Sequence, residues 1–139
     1  MIDSLKASMI TAASAIEAQS TRLRVASENL ANAQSTGNTP GSDPYARKTV
    51  SFSSQLDEVT GVNKLIVGSI SADDAPFRVE SNPSHPAADE NGNVKLPNVN
   101  VLMEMADMRE TNRSYEANLQ VVKQARELVS MTIDLLRSR

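Results

Sequence analysis

An apolar residue recurs about every 3.5 positions at both ends of this chain, and little between those ends can form a core. At the N-terminus one row reads Ile2, Met9, Ile16, Leu23 and Leu30, and the row beside it reads Leu5, Ala12, Gln19, Ala26 and Ala33. At the C-terminus the seam is Val101, Met105, Met108, Tyr115, Leu119, Val122, Val129, Ile133 and Leu136. A repeat of this period keeps one stripe turned toward a partner helix, as in a coiled coil. The stretch between is rich in Pro, Asn, Asp, Ser and Gly. The two ends must therefore pack on each other or on other subunits.

Composition points away from an enzyme. The 139 residues suffice for one ordinary domain, but aromatics make up 3% of them: Tyr45, Phe52, Phe77 and Tyr115, with no Trp. Large aromatics usually anchor a compact core. Much of the apolar content is Ala, which suits close helix packing better than a pocket. The net charge of −3 falls wholly in the middle, because each end carries equal numbers of acids and bases. Neutral ends of mixed sign can lie side by side, and the absence of a basic patch argues against nucleic-acid binding. No cysteine is present, which removes disulfides, thiolate metal sites and Cys nucleophiles. No apolar run approaches ~18 residues, so membrane insertion is not expected. The N-terminus has no basic segment leading into a continuous apolar stretch, unlike a cleaved secretory signal.

The periodicity predicts a mainly α fold: long N- and C-terminal helices packed as a coiled-coil-like helical domain, with a small β-rich middle insertion. The first helix covers 3–34, with Asp3 or Ser4 as cap and Gly37 with Pro40 as the stop. Its length is roughly 45–50 Å at 1.5 Å per residue. Its Ser, Thr and Asn content makes a lone copy marginal. Strand signals appear at 46–53 and 63–71, around Phe77 and Val79, and after the Asn91-Gly92 turn at Val94 and Leu96. The stretch 81–92 reads as a loop. The second helix covers 98–137, with Asn98 or Asn100 as N-cap and Arg137 and Arg139 at its negative end. Asn112 and Arg126 fall at apolar-type positions, either as register-fixing polar residues or because the stripe drifts around a straight helix. A second stripe, Val121, Ala125, Leu128, Thr132 and Leu135, implies more than one partner helix. In domain terms, 1–36 and 98–139 form one discontinuous helical domain and 37–97 a small β/loop middle domain.

Candidate chemical sites are weak. His85 with Asp89, and Asp73 with Asp74, could be drawn as a metal site, but Pro83 and Pro86 deny the loop a helical spacing. No Ser–His–Asp order or phosphate-cradling Gly motif stands out. The pair Asp57-Glu58 reads as solvated charge. Met103, Met105 and Met108 read as adaptable packing surface. Neither a cofactor nor a catalytic residue is expected. Tyr115 either fills a core with its hydroxyl at the edge or donates a hydrogen bond to a neighbouring subunit. Asn29 and Asn32, flanking Leu30, either contact another subunit or serve the helix end locally.

Residues 26–41, ASENLANAQSTGNTPG, resemble the N-terminal signature of the bacterial flagellar axial protein family of rod, hook and hook-associated proteins. DPYARK at 43–48, HPAAD at 85–89, VKLPNVN at 94–100 and MADMRETNRSYEANL at 105–119 extend the likeness in order along the chain. Together they are similar to the type C proximal-rod proteins of the basal body. The resemblance implies a structural subunit of the proximal rod that polymerises through its terminal helices and transmits motor torque. It implies contacts with other copies of itself, with other flagellar rod proteins and with the type III export apparatus. It places the assembled protein in the periplasmic part of the basal body, after export from the cytoplasm without signal cleavage. On this reading the packing residues are Leu5, Met9, Ile16, Leu23, Asn29, Leu30, Asn32, Tyr115, Leu119, Val122, Val129, Ile133 and Leu136. Phe52 and Leu56 resemble the short hydrophobic export element of rod and hook subunits; the alternative is that Phe52 anchors the middle domain. A coiled-coil adaptor in another multi-subunit assembly is the competing function.

Overall fold

A computed structural model describes residues 2–138; Arg139, expected at the end of the second helix, and the side chain of Ile2 lie outside what is described. The element order is helix α1 (Ile2–Ala31), strands β1 (Lys48–Asp57), β2 (Val62–Ala72), β3 (Arg78–Ser81) and β4 (Asn93–Leu96), and helix α2 (Val101–Arg137). The expected class is therefore the observed one: two long terminal helices around a small β middle made of two two-stranded sheets, β1–β2 and β3–β4. The chain divides into two compact units, and both helices and both strands of the β1–β2 hairpin run from one into the other.

The first unit comprises Met1–Leu23, Ser51–Ser69 and Glu110–Arg139. Here α1 holds the hairpin through two hydroxyls one turn apart. Thr11 Oγ1 donates to the Asn63 carbonyl at 3.3 Å, and Ser14 Oγ accepts the Leu65 N–H at 3.1 Å while donating to the Thr11 carbonyl. A two-stranded hairpin is marginal alone, so these bonds to its outer edge matter. Across the pair, Ser51 and Ser69 face each other with hydroxyl oxygens 2.8 Å apart. Ala7 and Ala12 of α1 share a shallow depression with Asn118 and Val121 of α2.

The second unit comprises Arg24–Val50 and Ile70–Arg109. Strands β3 and β4 pair antiparallel, with Arg78 opposite Leu96 and Ser81 opposite Asn93. The loop between them closes at Asn91-Gly92, where Gly92 has φ 78° and an added Cβ would meet Pro83 at 2.9 Å. Val94, Pro97, Val99 and Ala87 are buried around this sheet.

Three boundaries differ from expectation. α1 stops at Ala31, well before Gly37, because Asn32 turns its amide back onto the Glu28 carbonyl at 2.9 Å and accepts the Ser35 hydroxyl at 3.0 Å. Gly37 serves a tight turn instead: a Cβ there would lie 2.0 Å from Ser42 Oγ and 2.8 Å from its carbonyl oxygen. Asp3 sits within the first turn of α1 rather than before it. α2 begins at Val101, and of the two candidate caps Asn100 is the one used, its Oδ1 accepting the N–H of Leu102 at 3.1 Å and of Met103 at 3.3 Å.

The buried stripes are also displaced from the apolar rows. On α2 the inward row is Glu104, Thr111, Asn118, Ala125 and Thr132, with Met108, Tyr115, Val122 and Val129 beside it. Val101 and Met105, expected in the seam, are exposed. On α1 the fully buried positions are Ala12, Ala18, Val25, Ala26 and Asn29, joined by Ala33 in the turn that follows, while the larger Met9, Ile16, Leu23 and Leu30 are half-buried. The seven-residue spacing survives on α2, and on both helices small or polar residues occupy the most buried positions.

A buried polar junction as the candidate functional site

The most constrained group of side chains lies in the second unit, where Asn29 of α1, Tyr45 to Lys48, Asp73, Asn98 and Glu104 of α2 meet. Asn29 and Glu104 are each 1% exposed. Burying an amide and a carboxylate is costly unless every polar atom is satisfied, and here the accounting closes. The Asn29 amide nitrogen donates to the Lys48 carbonyl at 2.8 Å and to Glu104 Oε2 at 3.2 Å. Its oxygen accepts the Lys48 N–H at 2.8 Å and the Tyr45 hydroxyl at 2.8 Å. Both donors and both lone pairs are thereby used. Asn29 reads both polar groups of the Lys48 backbone, as a neighbouring strand would.

Glu104 gains its countercharge from Arg47, whose Nε donates to Oε1 at 2.5 Å. The same guanidinium reaches Asp73 through Nη1 at 3.2 Å. The Arg47 backbone is held as well, its N–H by Asn98 Oδ1 at 2.7 Å and its carbonyl by the Asp73 N–H at 2.7 Å. Asn98 also spends its amide nitrogen on the carbonyls of Asp73 and Ala75; with its oxygen committed to the Arg47 N–H, it leaves the capping of α2 to Asn100. At the rim Lys48 Nζ meets Glu28 Oε1 at 2.5 Å.

The titration of these groups follows their surroundings. Burial raises the Tyr45 phenol above its ordinary value, with Glu28 adding to the effect. Burial alone would lower Arg47, but its bond and charge interaction with Glu104, helped by Asp73, leave it raised. The hydrogen bond to Glu28 raises Lys48. Asp73 is lowered, first by the Ala75 N–H and then by Arg47. Such a junction ties four chain segments together. It presents no activated nucleophile or open coordination position.

The residues expected to pack between subunits are placed unevenly. Asn29 is committed inside the chain and Asn32 finishes α1. Leu5, Met9, Ile16, Leu23, Leu30, Tyr115, Val122 and Val129 are half-buried. Leu119, Ile133 and Leu136 are exposed, Leu136 by 68%. On β1, Phe52 is half-buried and Leu56 exposed. His85 accepts the Ala87 N–H through Nδ1 in a surface loop, and among the described residues no cluster of His, Cys, Asp or Glu is suited to a metal ion. Also among the described residues, no helix is long and apolar enough to cross a membrane. Tyr45, Arg47 and Glu104 were not anticipated as a site. The available signal was an acid at the head of a seven-residue row, Glu104-Thr111-Asn118-Ala125-Thr132, which hydropathy reads as solvent-facing.

Most of the junction comes from the motifs that carried the sequence resemblance, Asn29 from the first, Tyr45, Arg47 and Lys48 from DPYARK and Asn98 from VKLPNVN, while Asp73 and Glu104 lie outside them. Comparisons with known proteins agree with that likeness. Residues 90–135 match a family model described as flagellar basal body rod FlgEFG protein C-terminal. A flagellar basal-body rod protein FlgC of Agrobacterium fabrum is 60% identical over 137 residues, covering 99% of each chain. One of Salmonella typhimurium is 42% identical, covering 89% of this chain and 92% of its own. One of Borreliella burgdorferi is 31% identical, covering 96% and 98%.

Proposed function

We propose a structural role from one premise: this chain belongs to the flagellar basal-body rod protein FlgC family. It is a structural protein of the flagellar rod, not an enzyme. The finer reading is that it forms part of the proximal rod, in the periplasmic region of the basal body, and polymerises through its terminal helices so that torque passes along packed helix seams. The segments 1–36 and 98–139 act as the rod core, and 37–97 sets the spacing outside it. Neighbouring copies and other rod proteins are its partners, and the type III export apparatus delivers it without cleavage.

The observation that supports this most is the unspent apolar surface of α2. Once the inward stripe is satisfied, Leu119, Val121, Leu128, Met131, Ile133, Leu135 and Leu136 are still exposed. That is far more than scattered surface leucines require, and patches of this kind mark interaction sites. The junction supports the same reading by fixing how the DPYARK segment meets the helix ends before neighbours bind. Phe52 and Leu56 remain the proposed export element.

Complementing a deletion strain with Ile133→Asp or Leu30→Ala tests the packing. The variant chain is expected to be expressed and secreted while rod completion and swimming are lost. Normal motility with both variants would remove the helix-seam model.

A further inference from the structure

The tip of the β1–β2 hairpin breaks the usual chemistry of a turn. Residues 58–61 form it, and such positions favour Gly, Asn, Asp or Ser; here Val59 occupies one and is 94% exposed. The tip is rigidly built. Asp57 Oδ1 accepts the N–H groups of Val59 at 3.0 Å and Thr60 at 3.2 Å, its carbonyl accepts the Gly61 N–H at 2.7 Å, and Lys64 pairs with its other oxygen. Gly61 supplies the left-handed conformation, φ 65°. The fold thus spends four interactions on presenting one apolar side chain to water, with Glu58 beside it making no ion pair among the described residues. A residue that defies its local rule without an internal gain marks a functional position.

The second unit carries a surface of matching character. Ala75, Pro76, Arg78, Asn98 to Val101 and Leu102 line an open depression of about 400 Å³ at the start of α2. Leu102 is 78% exposed. Arg78 makes no ion pair among the described residues. A positive guanidinium and the positive end of a long helix together favour an acidic partner. We propose that the hairpin tip of one copy seats in this depression of a second copy, Val59 against Pro76 and Leu102, and Glu58 against Arg78. The contact joins two different surfaces, so it is heterologous and propagates along a polymer instead of closing a dimer. It rests on the rod reading above and names one of the contacts that reading needs.

The chain has no native cysteine, so introduced thiols report without background. The chain carrying Val59→Cys and Leu102→Cys is expressed in a strain lacking its own copy, and basal bodies are isolated and oxidised with copper phenanthroline. Bands at twice the chain's mass and above are expected, and either single substitution alone leaves the monomer. Basal bodies that contain the doubly substituted chain only as monomer, or bonded in a band of another protein's mass, would overturn the contact. In parallel, Glu58→Arg and Arg78→Glu are each expected to abolish swimming and together to restore it. Two harmless single changes, or no rescue by the pair, would count against it, and this arm decides if the thiol variant fails to assemble. Absence of the unaltered chain from basal bodies would instead sink the rod reading itself.

Discussion

At the scale of single residues, Asn29 and Glu104 show how a buried polar group can specify a fold. Each satisfies the other's leftover valence, and neither has an apolar substitute that keeps the Lys48 backbone paired. Removing one partner of a buried ion pair strands the other charge, at a cost of about 3–5 kcal/mol. The Arg47 side chain is 28% exposed and Glu104 only 1%, so Arg47→Met should lie near the lower end, about 3 kcal/mol by urea denaturation. A double-mutant cycle with Glu104→Gln should show positive coupling between the two. Acid provides an independent check. Asp73 is lowered from 3.8, chiefly by the Ala75 N–H and then Arg47, and Asp57 is lowered by Lys64 and the Thr60 N–H. Both carboxylates release protons more readily in the folded chain than in the unfolded one. Their contribution is therefore complete above the ordinary value and disappears as pH falls through the lowered folded value. Thermal midpoints should be level from about pH 7 to 5 and drop below about pH 4. Asp73→Asn should make that drop shallower.

At the scale of elements, the two helices, the four extended segments and the Asn91-Gly92 turn were legible because period and turn chemistry are local properties. The inward face was not. Hydropathy ranks Leu23 and Leu30 above Ala26 and Ala33, and ranks Leu119 above Thr111, yet the smaller residue is the buried one each time. Helices that approach closely need small side chains at the centre, and the large ones are displaced to the flanks. The junction was illegible for a related reason: its residues are polar, far apart in sequence, and satisfied only by one another. This distinction predicts opposite phenotypes for two alterations. Ala26 is 2% exposed, so Ala26→Leu overfills its site and should destabilise the isolated chain by about 1–3 kcal/mol. Leu136→Ala changes an exposed side chain and should alter isolated stability by no more than about 0.5 kcal/mol. The second substitution should nonetheless reduce rod yield from a complemented strain. Denaturation of the purified chains and counting of completed basal bodies separate the two.

At the scale of the whole molecule, little of the chain is a deep apolar core. Prolines aside, nine apolar residues are buried among those described, and six of them are alanine: Ala12, Ala18, Ala26, Ala33, Ala87 and Ala125. Each alanine buries little area, so the hydrophobic contribution that must offset chain entropy is small. A chain with so small a core is expected to gain much of its stability from neighbours, and on the export reading proposed above a subunit that unfolds readily alone would suit passage through a narrow channel. Targeting information must then be readable in an unfolded chain. On that reading Phe52 and Leu56 are the proposed carriers, being two large apolar residues in a stretch of β1 otherwise made of Ser, Gln and Val. In the folded chain Phe52 is half-buried and Leu56 is 56% exposed, so Leu56 contributes little to packing and its presence is poorly explained by folding alone. Replacing both by Ala therefore distinguishes the two roles. If they serve export, the variant accumulates in the cytoplasm and none is secreted from a strain that cannot complete its rod. If Phe52 is only an anchor, the variant is secreted at the unaltered level and fails afterwards, because secretion acts on the unfolded chain and assembly on the folded one.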